Sequence, residues 1–304
     1  MKNKYYDVSA VREAIHAAPV PSISTPFLKN GEIDYKSLAT YTDFLVESGA
    51  KVLLLTPGDS HFAVLSDNEQ LEVNRVVVDA CNHRAMVIGA ADRMYYNRMV
   101  EFAEKYRDFG GDLLIPFAPD WCSYTTDDTL VEYYKACGKV APTMLLSCNC
   151  GGLSNRIYDS VGPENGIVAV KDDKALPYGT KALPHIRDKM AYLSGGRMET
   201  FLYYAPYGAD GYLAVFARAF PDVDKRFWSA YNNGDLAGAV KIIEDYEIAF
   251  FDWCSANGVH WDSGIRGMIE IAGLAPRYTR HPFTHITDEK IEALRHFLKE
   301  KKVI

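Results

Sequence analysis

The sequence predicts an α/β fold, a (β/α)8 TIM barrel with a C-terminal helical extension. The first observation is a set of eight apolar runs, each at most six residues long, as in buried parallel strands. The second is their spacing: successive runs begin 21 to 35 residues apart, which leaves room for a crossover helix and two loops. A doubly wound open sheet is the competing layout, but eight units at this regular spacing favour a closed barrel.

Each strand is predicted from apolar and β-branched residues, and each helix from apolar residues at helical spacing. The predicted strands are Val20–Thr25, Lys51–Thr56, Met86–Ala91, Asp112–Pro116, Pro142–Ser147, Ile167–Lys171, Met190–Ser194 and Gly211–Val215. The predicted helices before residue 222 are Val8–Ala18, Asp34–Ser48, Asp67–Asn82, Asn97–Phe109 and Thr126–Cys137. In the second helix Leu38 and Leu45 share one face, and Gly49 supplies the C-terminal stop. Ser66 and Glu69 form a capping-box pattern at the start of the third.

The strand signal stops after Pro221, and the rest of the chain is predicted to be helical. The predicted helices are Asp222–Asn232, Asp235–Asn257, Ser263–Gly273 and Asp288–Lys301. This tail is too long to be only the eighth barrel helix. We therefore divide the chain into a lead-in segment 1–19, a barrel domain 20–221 and a C-terminal helical domain 222–304 that includes the last barrel helix. No low-complexity linker separates them, so we expect one compact unit.

Charge and composition exclude several classes of function. The 304 residues include 33 Lys and Arg against 40 Asp and Glu, without a basic run, so no nucleic-acid partner is expected. No stretch approaches the ~20 apolar residues that span a bilayer, so no membrane contact is expected. The N-terminus lacks the apolar core of a secretory signal, and six scattered cysteines are too sparse for a disulfide framework. We therefore expect a cytoplasmic protein.

Metal ligation has weak support in the sequence. Cys148 and Cys150 form the one close cysteine pair, which provides too few ligands for a zinc site. A metal-dependent barrel enzyme would need three or four convergent ligands, and only Asp59, His61 and Asp92 have suitable positions at strand ends. We rank this class of enzyme last and expect neither a metal nor a cofactor.

Lys171 stands at the end of an apolar strand. Alternation places Ile167, Ala169 and Lys171 on one face and Val168 and Val170 on the other. If the valines face the outer helices, Lys171 points into the barrel mouth, where the reactive groups of this fold lie. Burial there disfavours the ammonium form and makes the neutral amine available to condense with a ketone. The local sequence leaves open the alternative that the lysine extends to solvent.

Several segments, taken in order, resemble the motifs of one enzyme family. They are Thr25-Pro-Phe with Gly31-Glu-Ile-Asp34, Ala63-Val-Leu-Ser66 with Glu69, Gly166-Ile-Val-Ala-Val-Lys171-Asp172, Leu193-Ser-Gly195 and Gly208-Ala-Asp-Gly211. By these motifs residues 18–304 resemble the dihydrodipicolinate synthase / N-acetylneuraminate lyase family of class I aldolases, as a divergent member. The resemblance implies a metal-free barrel enzyme, commonly tetrameric, that forms a Schiff base between Lys171 and pyruvate or another 2-oxo acid.

The chain departs from the family pattern at several places. The family's Gly-Thr-Thr-Gly-Glu loop, which grips the substrate carboxylate largely through backbone N–H groups, aligns with Pro57-Gly-Asp-Ser-His61. Asp59 in this loop repels an anionic substrate unless it points away or is protonated. The tyrosine that shuttles protons on strand five has no counterpart in Leu146-Ser-Cys-Asn-Cys-Gly151. The arginine that follows it in the family is also missing, unless Arg156 substitutes.

The ends of the predicted strands supply the candidate site residues. The catalytic candidates are Lys171 as nucleophile, Ser147 beside a bound water, and His61 as a general acid–base group if it faces the mouth. The substrate-binding candidates are Thr25, Gly58, Asp59, Ser60, Asn149, Gly195 and Val215.

Two functions follow as hypotheses. The first is a Schiff-base-forming lyase, an aldolase or dehydratase, that acts on pyruvate or another 2-oxo acid through Lys171. By the family resemblance it would be a homo-oligomer, a tetramer or a dimer. The alternative is a non-catalytic homologue that binds a 2-oxo acid or sugar acid and has lost the proton-relay tyrosine. Turnover that disappears in a Lys171→Ala variant would exclude the alternative.

Overall fold

Eight parallel strands form the barrel that the sequence predicts. The computed structural model of the chain describes residues 3–119, 125–148, 152–174 and 176–304. The strands are β1 Val20–Pro21, β2 Val52–Leu54, β3 Met86–Asp92, β4 Leu113–Phe117, β5 Thr143–Ser147, β6 Ile167–Asp172, β7 Ala191–Ser194 and β8 Gly211–Ala214. They pair in the order β1-β8-β7-β6-β5-β4-β3-β2. A bridge between Ser22 and Leu54 brings β1 to β2. The ring is thereby nearly closed, and the predicted (β/α)8 barrel is confirmed.

The helices before residue 222 alternate with the strands. They are α1 Val8–Ala17, α2 Tyr35–Glu47, α3 Asp67–Cys81, α4 Tyr96–Asp108, α5 Asp127–Gly138, α6 Asn155–Ser160, α7 Leu176–Ala182 and α8 Met198–Tyr204. The first five lie within one residue of their predicted bounds, and the capping box of Ser66 and Glu69 is present at α3. The sequence did not predict α6 to α8, because helices of six or seven residues are too short to show helical periodicity.

Five helices follow the last strand, where the sequence predicts four. They are α9 Asp222–Asn232, α10 Leu236–Ile242, α11 Ala249–Ala256, α12 Trp261–Ile271 and α13 Asp288–Glu300. The predicted helix Asp235–Asn257 is helical from Leu236 to Ala256, and a π-helical segment, Ile243–Ile248, divides it into α10 and α11. In this wider segment the buried Glu247 accepts backbone N–H groups of Met198, at 2.9 Å, and Glu199, at 3.1 Å. Apolar spacing alone does not signal a π-helical turn.

Within the described ranges, no helix combines the length and the apolar character that crossing a membrane requires.

Candidate active site

A cavity of about 980 Å³ opens at the carboxyl ends of the strands. Every strand from β2 to β8 contributes residues to its wall, either from the last turn of the strand or from the loop that follows. The region after β8 adds four apolar side chains to the wall, which are Phe251, Trp261, Ile265 and Phe283. Reactive groups of (β/α)8 barrels lie at this end of the barrel, so the cavity is the candidate active site.

Lys171 faces this cavity from the inner side of β6. It is only 2% exposed, and its register partner on β5 is Leu146, which also lines the cavity. The alternation predicted from the strand sequence therefore describes the true orientation of this side chain. The Lys171 amine donates a hydrogen bond to the carboxylate of Asp173, two residues further along the chain. The amine is thus buried and ion-paired, and its proton has to pass to another group before the nitrogen attacks a carbonyl.

Gly195 makes room for this ion pair. It lies directly after β7 and lines the cavity. A Cβ atom at this position would lie 1.6 Å from Oδ1 of Asp173. A larger residue would therefore displace the carboxylate that holds the Lys171 amine.

Ser147 points to the opposite side of β5, away from the cavity. Its hydroxyl donates to the Tyr178 hydroxyl at 2.7 Å and accepts the Leu153 N–H at 3.2 Å. A group that carries protons to a substrate must face the cavity, and at this level of β5 that residue is Leu146. Because successive strand residues face opposite sides, a shift of one position separates the two environments. The structure thus does not bring Ser147 together with Lys171.

His61 lies beneath the loop after β2 and is not among the residues that line the cavity. Its side chain is 2% exposed, its Nε2 atom lies 2.8 Å from Oδ2 of Asp262, and its ring stacks on Phe283. Burial, followed by the charge of Arg266, lowers the pKa of His61. A neutral, enclosed imidazole of this kind suits a structural role better than proton exchange with a substrate.

Arg266 connects this histidine to the cavity wall. Its Nε atom donates to Asp262 at 3.1 Å, while Nη1 and Nη2 donate to the backbone carbonyls of Thr25, at 2.7 Å, and Asp59, at 3.2 Å. We name His61, Asp262 and Arg266 the support cluster. The cluster holds the loop after β2 through the Asp59 carbonyl. Of its three members, only His61 was predicted as a site residue.

Several hydrogen-bonding groups of the loop after β2, residues 56–61, already have partners, either in the loop itself or in the segment that follows β1. The backbone N–H of Asp59 donates to Oγ1 of Thr56 at 2.9 Å, and that of Ser60 donates to the Thr56 carbonyl at 3.1 Å. The Ser60 hydroxyl donates to the Ile23 carbonyl at 2.7 Å, and the Thr25 hydroxyl donates to the Ser60 carbonyl at 2.8 Å. Thr25 and Ser60 are buried in these contacts, away from the cavity wall.

Gly58, Asp59 and Val215 line the cavity together with Lys171, as the sequence suggested. Asp59 faces the guanidinium of Arg218, whose Nη1 atom lies 3.8 Å from Oδ2 of Asp59. Arg218 was not among the predicted site residues. The expected repulsion of an anionic substrate by Asp59 is therefore offset by a buried arginine. Asn149, the remaining candidate, lies outside the described residues.

Metal ligands do not converge in the described part of the chain. Within residues 3–119, 125–148, 152–174 and 176–304, no three His, Cys, Asp or Glu side chains are grouped so that they would hold a metal ion.

Fold and site together define a (β/α)8-barrel protein with a buried lysine on the sixth strand that opens onto a cavity at the barrel mouth. The chain belongs to the Dihydrodipicolinate synthetase family, whose sequence model matches residues 17–301. The family recognised from its motifs is thereby confirmed. Members of this family include lyases.

Individual relatives agree with this assignment. The chain is 26% identical, over 253 residues, to a 4-hydroxy-tetrahydrodipicolinate synthase from Psychrobacter sp., with 81% of this chain and 82% of the relative covered. In structure it is similar to dihydrodipicolinate synthase from Oceanobacillus iheyensis, with a TM-score of 0.83, 22% identity and coverage of 98% and 100%. It is also similar to N-acetylneuraminate lyase from Mycoplasma synoviae, with a TM-score of 0.82, 18% identity and coverage of 96% and 99%. These identities make the chain a distant member of its family.

Proposed function

We propose that the protein is a Schiff-base-forming lyase, an aldolase or dehydratase, that acts on pyruvate or another 2-oxo acid. The observation that carries the proposal is the Lys171 amine, buried on the inner face of β6 and open to a cavity of about 980 Å³. Family membership supports the proposal, because the relatives named above are a synthase and a lyase. The resemblance of this chain to their family implies that Lys171 is the Schiff-base lysine.

The chemistry begins with the Lys171 ammonium, which passes one proton to the Asp173 carboxylate. The neutral nitrogen attacks the ketone carbon of the 2-oxo acid, and the carbinolamine hydroxyl takes the proton back from Asp173 and leaves as water, which gives an iminium. The iminium accepts the electron pair of the neighbouring carbon–hydrogen or carbon–carbon bond as that bond breaks, and an enamine forms. The released proton, from the carbon or from the hydroxyl of the fragment that departs as an aldehyde, passes to the Asp173 carboxylate. Protonation of the enamine, or its attack on an aldehyde, and then hydrolysis return the free amine.

Asp173 is the group that we assign to the first proton transfer. It accepts a hydrogen bond from the Lys171 amine, and its side chain is 31% exposed and lines the cavity. Among the described residues of β5 and the position after it, Leu146 and Cys148 line the cavity, and neither carries a hydroxyl. A carboxylate two residues after the lysine is a suitable substitute, because it is already in contact with the reacting nitrogen.

Reductive trapping tests the proposal. Borohydride added with pyruvate, and then with a panel of sugar-derived 2-oxo acids, is expected to fix a covalent adduct whose mass and peptide position identify Lys171. Lys171→Met should lose the adduct. Lys189→Met is the matched control, because Lys189 is a partly buried lysine outside the cavity that donates to the Tyr158 carbonyl. Absence of an adduct in the unmodified protein with every acid of the panel would overturn the proposal.

The alternative function is a non-catalytic protein that binds a 2-oxo acid or a sugar acid. The lack of a tyrosine in Leu146-Ser-Cys-Asn-Cys-Gly151 favours this alternative. Turnover of any acid in the panel that disappears in Lys171→Ala would exclude it.

We also propose a cytoplasmic homo-oligomer, a dimer or tetramer, that acts without a metal or organic cofactor. Sedimentation of the purified protein measures the oligomeric state, and activity retained after chelation tests the metal.

A further inference from the structure

Arg218 is a buried cation that lies beside the buried Tyr41 hydroxyl and makes few hydrogen bonds. It ends the short 3-10 turn Phe216–Arg218 after β8, is 2% exposed and lines the same cavity as Lys171. Its Nη2 atom donates to the Ser24 hydroxyl at 2.5 Å, and its Nη1 atom lies 3.8 Å from Asp59, beyond hydrogen-bond distance. Its Nε atom has no hydrogen-bond partner among the described residues. A guanidinium has five N–H donors, and leaving several of them unpaired in a buried place is unfavourable.

The neighbouring loop offers little to bind an anion. Asp59, Ser60 and His61 all donate their backbone N–H groups to oxygen atoms within the loop, at 2.9, 3.1 and 2.9 Å. A substrate carboxylate that entered here would find these three donors already used. The backbone grip that the family resemblance implies is therefore reduced in this chain, and another donor is needed.

Arg218 has the right place and chemistry to be that donor. Its contacts with Ser24 and Asp59 place the guanidinium where the ends of β8, β1 and β2 meet. Lys171, on β6, lies on another part of the same wall. In a 2-oxo acid the carboxylate is bonded directly to the ketone carbon. One group must therefore hold the carboxylate while the lysine reaches the adjacent carbon. Guanidinium and carboxylate match in charge and in planar geometry.

We propose that Arg218 binds the carboxylate of the 2-oxo acid and thereby selects ketones that carry an adjacent carboxylate. Asp59 is the counter-ion of Arg218 in the absence of substrate, and its long contact leaves the donors available. The proposal deepens the proposed function and rests on it, because it presupposes that Lys171 condenses with a ketone.

The test compares two ketones in the borohydride assay. Pyruvate carries the carboxylate, and hydroxyacetone is a ketone of similar size without it. In the unmodified protein, pyruvate is expected to modify Lys171 faster than hydroxyacetone at equal concentration. Arg218→Gln should slow trapping by pyruvate about ten- to a hundredfold, the range expected when a hydrogen-bonded charge pair is lost. The same variant should change trapping by hydroxyacetone no more than about threefold. An unchanged preference for pyruvate in Arg218→Gln would overturn the proposal.

Two further variants make the result specific. Arg277→Gln removes a buried arginine outside the cavity, one that pairs with Glu270 and Asp288, and should keep the preference for pyruvate. If Arg218 served only to cancel the charge of Asp59, the double variant Asp59→Asn/Arg218→Gln would regain the preference. We expect this double variant to lack it, and recovery would contradict the proposal.

Folding and the underlying chemistry are controlled separately. Arg218→Lys keeps the buried charge should the glutamine variant fail to fold, and because lysine lacks the planar fork it should lose part of the preference. A preference equal to that of the unmodified protein in Arg218→Lys would count against guanidinium recognition. Failure of the proposed function has a different signature, since neither ketone would then modify Lys171 in the unmodified protein.

Discussion

Arg266→Met is expected to destabilise the folded protein by about 3–5 kcal/mol, the cost of breaking a buried ion pair from one side. Arg266 is 1% exposed and donates to Asp262 and to the carbonyls of Thr25 and Asp59. Methionine fills a similar volume but donates no hydrogen bond. The substitution therefore leaves one buried carboxylate without its cation and two buried carbonyls without their donor.

The charge on Asp262 accounts for most of this loss. Burial by itself would raise the pKa of Asp262, but Arg266 and His61 hold it well below its ordinary range, so the group is ionised at neutral pH. Each carbonyl that loses its donor adds about 1 kcal/mol. The free energy of unfolding, measured by urea denaturation near neutral pH, gives the total. Since whole domains are stable by only about 5–15 kcal/mol, the change should be large.

A double variant separates the two contributions. Asp262→Leu/Arg266→Met removes the charge that Arg266→Met leaves unpaired, so it should recover part of the stability, while the carbonyls of Thr25 and Asp59 stay without a donor. A single variant within about 1 kcal/mol of the unmodified protein would refute the reasoning, as would a double variant less stable than Arg266→Met. In either case the support cluster would not hold the loop after β2.

Two further predictions concern groups outside the cavity. Burial raises the pKa of Asp224 to about 7, and its carboxylate accepts hydrogen bonds from the Tyr212 hydroxyl and the Ala217 N–H. The folded state therefore keeps a proton that the unfolded state releases above about pH 4, so this contribution to stability is present in acid and is lost as the pH rises through about 7. Asp224→Asn should reduce the fall in urea midpoint between about pH 5 and pH 8, and an unchanged fall would contradict the assignment. Ser147→Ala should cost about 1 kcal/mol, through its bonds to Tyr178 and Leu153, yet leave pyruvate trapping at Lys171 within about twofold. Loss of trapping would instead place Ser147 in the reaction.

The barrel could be predicted from the sequence because its signals are local. Each strand is a short apolar run, and the helices that matched their predicted bounds carry caps or C-terminal glycines next to a periodic apolar face. The orientation of Lys171 followed from the two-residue repeat of one strand. The helices of six or seven residues and the π-helical turn at Ile243–Ile248 have no comparable local signal.

The candidate site was only partly predictable, because much of it depends on distant contacts. Ser147 was the predicted proton carrier beside a bound water, yet its side chain faces Tyr178, whereas Leu146 and Cys148 line the cavity. The pairing of Arg218 with Asp59, and the support that Arg266 gives to Thr25, join residues from opposite ends of the chain. No local spacing encodes such contacts, since they arise only when the ring of strands closes.

The apolar part of the cavity wall comes from a different stretch of the chain than the lysine does. Lys171 lies on β6 and its partner Asp173 directly follows that strand, whereas Phe251, Trp261, Ile265 and Phe283 come from the helices and loops that follow β8. The nucleophile and the apolar part of the cavity wall are therefore encoded in separate stretches of the sequence. Mutations in the final third can reshape the opening while the nucleophile stays untouched, so relatives that share one reaction can diverge in the molecules they admit.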